Sequence, residues 1–461
     1  MINTNNIRVF NFIKYTILAC IFPVAYFAPI GSWLLISILA LSLVIKFLLN
    51  GSKIKLDNFY IPLIAIFLIL ISYFYSINPD KSLNAMSSAI GMIIAIYIVL
   101  NTSSRSIIKN FDNIIGIPIF LTSLCIFLDL VFNTEIRSSL ALLVGDKPTS
   151  ESGNYSRGII ILTMIMPISV ALFINNKKYI FAFIILILIS LVVMLGPNES
   201  AKMALILSYL TTLIIYFLGP KSFFYFGAIS LLWIIFCPFL AIKVIPIIKN
   251  VNYEIDTKYT CEAVIESANF YKLPYQYTDD SEIVIKNQNV YQTYKVLKDG
   301  NCLKIQPWQD TSVGGSIIHR LLVWEYVGKT ILNKLIIGHG IGTSRLIGQN
   351  IILNVPPKNL TIKGGIPLHP HNNFLEIWLE LGLLGTLIIS LIWIKIIKFG
   401  ITIRKNSYIL GTGVCTSIIT TFVISNLTFG MFQAWWMASL GLFFLLIVIT
   451  SKQKNNNGKV I

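Results

Sequence analysis

A chain of 461 residues that is 55% hydrophobic and only 12% charged is excluded from the soluble class, where roughly 25% of residues are charged. Almost uncharged runs such as Phe181 to Leu195 and Ala201 to Leu218 suit helices crossing hydrocarbon, which need about 20 apolar residues, whereas the alternating segments of about 10 residues that mark a membrane β-barrel are missing. The fold class expected is therefore an all-α polytopic membrane protein, and its formal net charge of +16 has to be explained in that setting.

In chain order, Met1 to Lys14 carries Arg8 and Lys14 ahead of an apolar run from Tyr15. A signal peptide would open this way, but Ala28-Pro29 is a poor cleavage site, so a retained first helix is expected. Apolar runs and their breakers place about 12 transmembrane helices near 11–29, 31–49, 59–76, 84–101, 113–132, 158–175, 178–196, 201–218, 222–246, 372–395, 407–426 and 431–450. Three regions follow. Helices one to nine occupy 1–246, a polar loop domain occupies 247–370, and helices ten to twelve with a tail occupy 371–461.

Basic residues in the short loops set the orientation. With the N-terminus in the cytoplasm, Arg8, Lys14, Lys53, Lys55, Arg105, Lys109, Lys177, Lys178, Lys221, Lys398, Arg404 and Lys405 fall on the cytoplasmic side. The opposite short loops hold only Lys81, Arg137, Lys147, Arg157 and Lys202. Both termini are then cytoplasmic and the long loop periplasmic. That loop carries 11 Lys, 2 Arg and 10 Asp/Glu over residues 247–368, so most of the positive excess lies in cytoplasmic loops and no nucleic-acid partner is implied.

Within the loop, Glu282 to Lys286 and Val290 to Leu297 read as strands, and Asp299-Gly300-Asn301 as a turn leading to Cys302 to Ile305. Cys261 and Cys302 lie in a compartment that permits a disulfide, with paired and free thiols both left open. Residues 316–335 read as an amphipathic helix, with Ile317, Leu321, Trp324, Val327 and Ile331 along one stripe. Such a helix can lie on a membrane surface.

All four histidines, His319, His339, His369 and His371, fall within 53 residues of this loop or its end. A site outside the cytoplasm, without ATP, needs acid–base groups of its own, and histidine suits neutral pH. The densest motif is Leu368-His-Pro-His-Asn-Asn-Phe-Leu-Glu-Ile-Trp-Leu-Glu-Leu-Gly-Leu-Leu-Gly385. Pro370 suits a first helical turn, so His371 and Asn372 are expected to begin the tenth helix at the outer surface. There the helix start would favour a neutral imidazole and offer backbone N–H groups to an anion. The bland alternative is a simple cap. Glu376 and Glu380 share a face in or near the membrane, where a carboxylate signals polar packing or function.

Arg157 opens the sixth helix on the outer side, against the charge bias. It is either an interfacial anchor or a fork for a lipid diphosphate. Arg320 lies on the amphipathic helix, either solvated, stacked on Trp324, or holding the same group. Lys202 opens the eighth helix with Glu199 as its simplest partner. No P-loop, zinc spacing or Gly-x-Ser-x-Gly elbow occurs. His339, His369 and His371 make a weak metal set, so no metal or other cofactor is expected.

The long outer loop ending in His-x-His-Asn-x-x-Leu-x-x-Trp-x-Glu-x-Gly-x-x-Gly, here His369, His371, Asn372, Leu375, Trp378, Glu380, Gly382 and Gly385, resembles the O-antigen ligase and polymerase superfamily. Ser156-Arg157-Gly158, the Arg320 to Trp324 helix leading to Gly338-His-Gly-Ile-Gly342, and Gln433-Ala-Trp-Trp436 are similar to ligase members too. The resemblance implies a glycosyltransferase of the inner membrane. It would transfer an undecaprenyl-diphosphate-linked glycan to a sugar hydroxyl of lipid A–core at the periplasmic face. His371 would be the general base of an inverting attack, and Arg157 and Arg320 would hold the diphosphate. Lys202, Asn372, His369 and Glu380 would complete the substrate-binding set. Residues 250–310 match no ligase pattern, which leaves acceptor recognition open. A polymerase joining two lipid-linked glycans is the alternative within the superfamily. A secondary transporter is the distant one, and it should show internal repeats.

Overall fold

The computed structural model describes residues 4–50, 59–103, 111–132, 136–143, 153–249, 258–270, 274–278, 282–287, 290–296, 301–305, 313–348, 352–355, 360–363, 366 and 369–452. Among them, nine helices are long and apolar enough to cross a membrane and three more are shorter but apolar. They stand at the twelve expected positions. The chain is a multi-pass, mainly helical membrane protein, as hydrocarbon requires of a backbone that must bond within its own segment.

The chain divides into two compact units. The first comprises Met1–Cys237, Thr330–Arg345 and Leu368–Ile461, the second Pro238–Lys329 and Leu346–Pro367. The helices up to the first crossing between them are α1 (Thr4–Phe27), α2 (Ser32–Asn50), α3 (Tyr60–Phe74), α4 (Pro79–Ser103), α5 (Phe111–Phe132), α6 (Ile136–Leu143), α7 (Gly153–Asn175), α8 (Tyr179–Leu195), α9 (Glu199–Leu218) and α10 (Pro220–Lys249).

Inside the first unit, 89% of the α7 span is buried against 22% of the α4 span, so α7 is central and α4 peripheral. The helix α15 (Tyr408–Ser425) packs closely on α7. A Cβ on Gly413 would lie 2.4 Å from the Cβ of Ala171 and 2.7 Å from the carbonyl oxygen of Pro167, so only glycine permits that approach. Pro167 interrupts the α7 ladder, and Ser417 of α15 accepts from the Ile168 N–H at 3.0 Å. A neighbouring hydroxyl thus satisfies backbone near a helix-breaking residue.

The second unit carries a five-stranded antiparallel sheet in the order β1 (Lys258–Thr260), β5 (Asn301–Ile305), β4 (Val290–Val296), β3 (Glu282–Asn287), β2 (Tyr275–Thr278). The three strands expected from the alternation are β3, β4 and β5. A hairpin of β6 (Ile352–Val355) and β7 (Leu360–Lys363) adds the other β structure of the described residues. Helix α11 (Cys261–Phe270) begins at Cys261, which is disulfide-bonded, whereas Cys20, Cys125, Cys237 and Cys415 are free thiols. Helix α12 (Val313–Leu332) is the expected amphipathic helix, with Val327 and Ile331 fully buried. The short α13 (Ser344–Gly348) follows. Asp299, Gly300 and the side chains of Cys302, Ile317 and His319 lie outside the described parts.

Candidate active site

The last two long elements are α14 (Asn373–Asn406) and α16 (Ala434–Thr450). The start of α14 differs from the expectation that His371 and Asn372 begin the helix. Asn372 is the N-cap, and its Oδ1 accepts from the N–H groups of Phe374 at 3.0 Å and Leu375 at 3.1 Å. Those donors therefore serve the cap and are not available to an anion. His371 stands outside the helix with φ of 54°, a left-handed conformation that costs an L-residue about 1–2 kcal/mol.

Two contacts hold it there. The His371 N–H donates to Nδ1 of His369 at 3.2 Å, and the His371 Nδ1 lies 2.8 Å from the carbonyl oxygen of Thr428. The two rings meet edge to face at 4.5 Å. A carbonyl accepts only, so it assigns the proton to Nδ1 and the lone pair of the neutral ring to Nε2. His369 is buried, and burial, followed by the charge of His371, pushes it down to about 3. It therefore stays neutral and able to accept at physiological pH.

The turn between α15 and α16 organises what surrounds His371. With its amide turned to match its neighbours, Asn373 donates to the Phe429 carbonyl at 2.5 Å and accepts from Trp436 Nε1 at 2.8 Å. The Met431 N–H donates to Glu376 Oε2. A Cβ on Gly430 would lie 2.9 Å from Glu376 Oε1 and 3.1 Å from the Cβ of His369, so glycine is needed for the turn to sit on them. Ser200, at the start of α9, donates to the Leu427 carbonyl at 3.2 Å. Trp435 donates to Gln433 Oε1 at 2.9 Å, and Arg157 lies over its ring at 4.9 Å. The starts of α7, α9 and α14 thus meet at one turn.

The helix α14 is broken at Gly382, whose φ is 64°. The break frees two carbonyls and two N–H groups, and the segment 335–340 takes all four. His339 and Gly340 donate to the carbonyls of Leu379 at 2.8 Å and Glu380 at 2.9 Å, while Leu383 and Leu384 donate to those of Leu335 at 2.9 Å and Ile336 at 3.3 Å. The glycine-rich Gly338-His-Gly-Ile-Gly342 is therefore a backbone splint. A Cβ on Gly338 would lie 2.5 Å from the Glu380 carbonyl. The Glu380 carboxylate secures the same segment, accepting from Gly342 N at 2.7 Å, Ser344 N at 3.0 Å and Ser344 Oγ at 2.6 Å. From below, the Tyr75 hydroxyl donates to Ile337 at 2.6 Å and the Ser82 hydroxyl to Ile341 at 2.5 Å.

Of the site residues expected from sequence, Arg157, His369, His371 and Asn372 gather around the α15–α16 turn, and Lys202 lies two residues from Ser200. Lys202 pairs with Glu199 at 2.9 Å. Arg320 belongs to the second unit, where it is half-buried, and that burial pushes its guanidinium below its usual range. The Thr428 carbonyl and Asn373 escaped the sequence reading, because a backbone acceptor carries no residue signature and a buried amide looks like any polar packing, whereas Glu376 was singled out there only together with Glu380.

Residues 153–390, just over half of the chain, match the family model described as O-antigen ligase. Proteins of Rickettsia prowazekii and Rickettsia typhi, provisionally named polysaccharide ligases, are each 31% identical over 135 residues. One of Rickettsia conorii is 29% identical over 135 residues. The first two alignments cover 29% of this chain and 32% of the relative, so the chain matches these relatives over about a third of their length. On the extent of its match to the family model, this chain belongs to the O-antigen ligase family.

Proposed function

We propose that the protein is a metal- and nucleotide-independent membrane glycosyltransferase that acts as an O-antigen ligase. Its donor is a glycan on undecaprenyl diphosphate and its acceptor a sugar hydroxyl of lipid A–core. The chain sits in the inner membrane with both termini in the cytoplasm and its site at the periplasmic face. The carrying observation is the His371 Nδ1 contact with the Thr428 carbonyl at 2.8 Å, which leaves Nε2 as the basic nitrogen.

In this reading Nε2 removes the proton of the acceptor hydroxyl as its oxygen attacks the anomeric carbon. The bond from that carbon to the diphosphate oxygen breaks, configuration inverts, and polyprenyl diphosphate leaves with the electron pair. Arg157 binds the diphosphate and offsets its charge. His369 and Asn372 line the base, Lys202 flanks it, and Glu380 supports it by holding the splint.

The test is glycan transfer to lipid A–core in a ligase-deficient Gram-negative host supplied with matched substrates. Wild type should produce ladder-bearing lipopolysaccharide, and equally expressed His371→Ala should lose it by about 100-fold or more. Extension of lipid-linked chains with a bare core would identify a polymerase. Undiminished transfer by the variant would remove His371 from the mechanism.

A further inference from the structure

Glu376 and Glu380 stand one turn apart on α14, and so far only Glu380 has a role. Its carboxylate is taken up by donors of Gly342 and Ser344. Glu376, in the first turn of the helix, is buried as well. An acid in a first turn gains from the helix dipole without leaving water. A buried carboxylate instead needs a donor to offset its desolvation. Among the described residues that donor is the Met431 N–H, bonded to Glu376 Oε2.

Met431 closes the turn that Thr428 opens, and the turn is tied down at both ends. The Thr428 carbonyl lies 2.8 Å from His371 Nδ1, the Phe429 carbonyl accepts from Asn373 at 2.5 Å, and Met431 gives its N–H to Glu376. Gly430 lies flat between them, since a Cβ there would be 2.9 Å from Glu376 Oε1 and 3.1 Å from the Cβ of His369. Asn373 and Glu376 both belong to the first turn of α14, which the Asn372 cap fixes. His371 stands outside that helix. The seat of the turn on α14 therefore decides whether its ring meets the Thr428 carbonyl. In so short a turn, a shift at Met431 is felt at Thr428.

A neutral imidazole carries its proton on either nitrogen, and the partner of one nitrogen decides which. Without the Thr428 carbonyl in place, the His371 proton is free to occupy Nε2, and the ring loses its fixed orientation.

We propose that Glu376 is a positioning residue for His371, acting through the Met431 N–H and the turn to keep the Thr428 carbonyl on Nδ1. The proposal rests on the reading of His371 as the base.

The test is steady-state transfer by the full chain purified in detergent, with undecaprenyl-diphosphate-linked O-antigen as donor and lipid A–core as acceptor. Glu376→Met fills the same space without an acceptor. It should keep both KM values within about twofold and lose about tenfold or more in kcat, since misplacement by about 1 Å can cost about 100-fold. Glu376→Gln, whose amide oxygen still accepts from Met431, should recover most of that loss. Glu376→Ala is held to the methionine outcome if the methionine variant does not fold. A folded variant without an acceptor whose kcat is within twofold of wild type, while His371→Ala is inactive, overturns the positioning role and leaves the proposed function intact. A loss carried by KM alone, or a glutamine variant no better than methionine, overturns it too. Absence of transfer by wild type with matched donor and acceptor overturns the proposed function, and the role of Glu376 with it.

Discussion

His371 and Thr428 are 57 positions apart, yet the imidazole Nδ1 of one lies 2.8 Å from the carbonyl oxygen of the other. The contact belongs to the backbone of Thr428, whose own hydroxyl donates elsewhere, to Ile424 at 2.9 Å. Thr428→Val should therefore keep transfer within about threefold of wild type, since it removes only a local helix contact worth about 1 kcal/mol. His371→Asn can still donate toward that carbonyl but has no basic nitrogen. It should fold normally and lose about 100-fold or more in turnover. Parallel rate and thermal-unfolding measurements on the two variants check both statements.

Gly382 and Gly338 should tolerate no side chain. Their φ values are 64° and 71°, and an added Cβ would lie 2.5 Å from Ile336 O and from Glu380 O respectively. Either alanine variant combines left-handed strain with a backbone clash. Each is expected to destabilise the protein by about 2 kcal/mol or more, read as a lower unfolding temperature in detergent.

Trp435 carries Arg157 on its face at 4.9 Å. Replacing it by leucine removes a cation–π contact worth about 0.5–2 kcal/mol and unsettles the guanidinium. The donor KM should rise several-fold with less change in kcat, and Trp435→Phe should restore most of the loss. Equal KM for the leucine variant and wild type would dissociate Trp435 from donor binding.

His369 should make stability fall in acid. Burial, and behind it the charge of His371, moves its imidazole from the ordinary 6.5 down to about 3. Below 6.5 the unfolded chain takes up a proton that the folded site refuses. The His369 contribution is thus complete above that value and is lost as pH falls toward 3. A pH series of unfolding temperatures for wild type and His369→Gln should show the smaller acid loss in the variant.

Much of this protein is decided locally. Twelve apolar runs become twelve helices because each must satisfy its own backbone in hydrocarbon, and β3, β4 and β5 appear where polar and apolar residues alternate. The His369 to Gly385 motif singles out the start of α14 for the same reason, since histidines, a cap and two carboxylates are conspicuous beside apolar neighbours. Interactions between distant segments leave no such mark. Only the tertiary structure gives His371 its left-handed conformation, supplies the Thr428 carbonyl that assigns its proton, sets Arg157 on Trp435, and turns Gly338 to Gly342 into the splint for the break at Gly382. Each of these rests on a backbone group or a side chain brought from elsewhere in the chain, and hydropathy and spacing record neither.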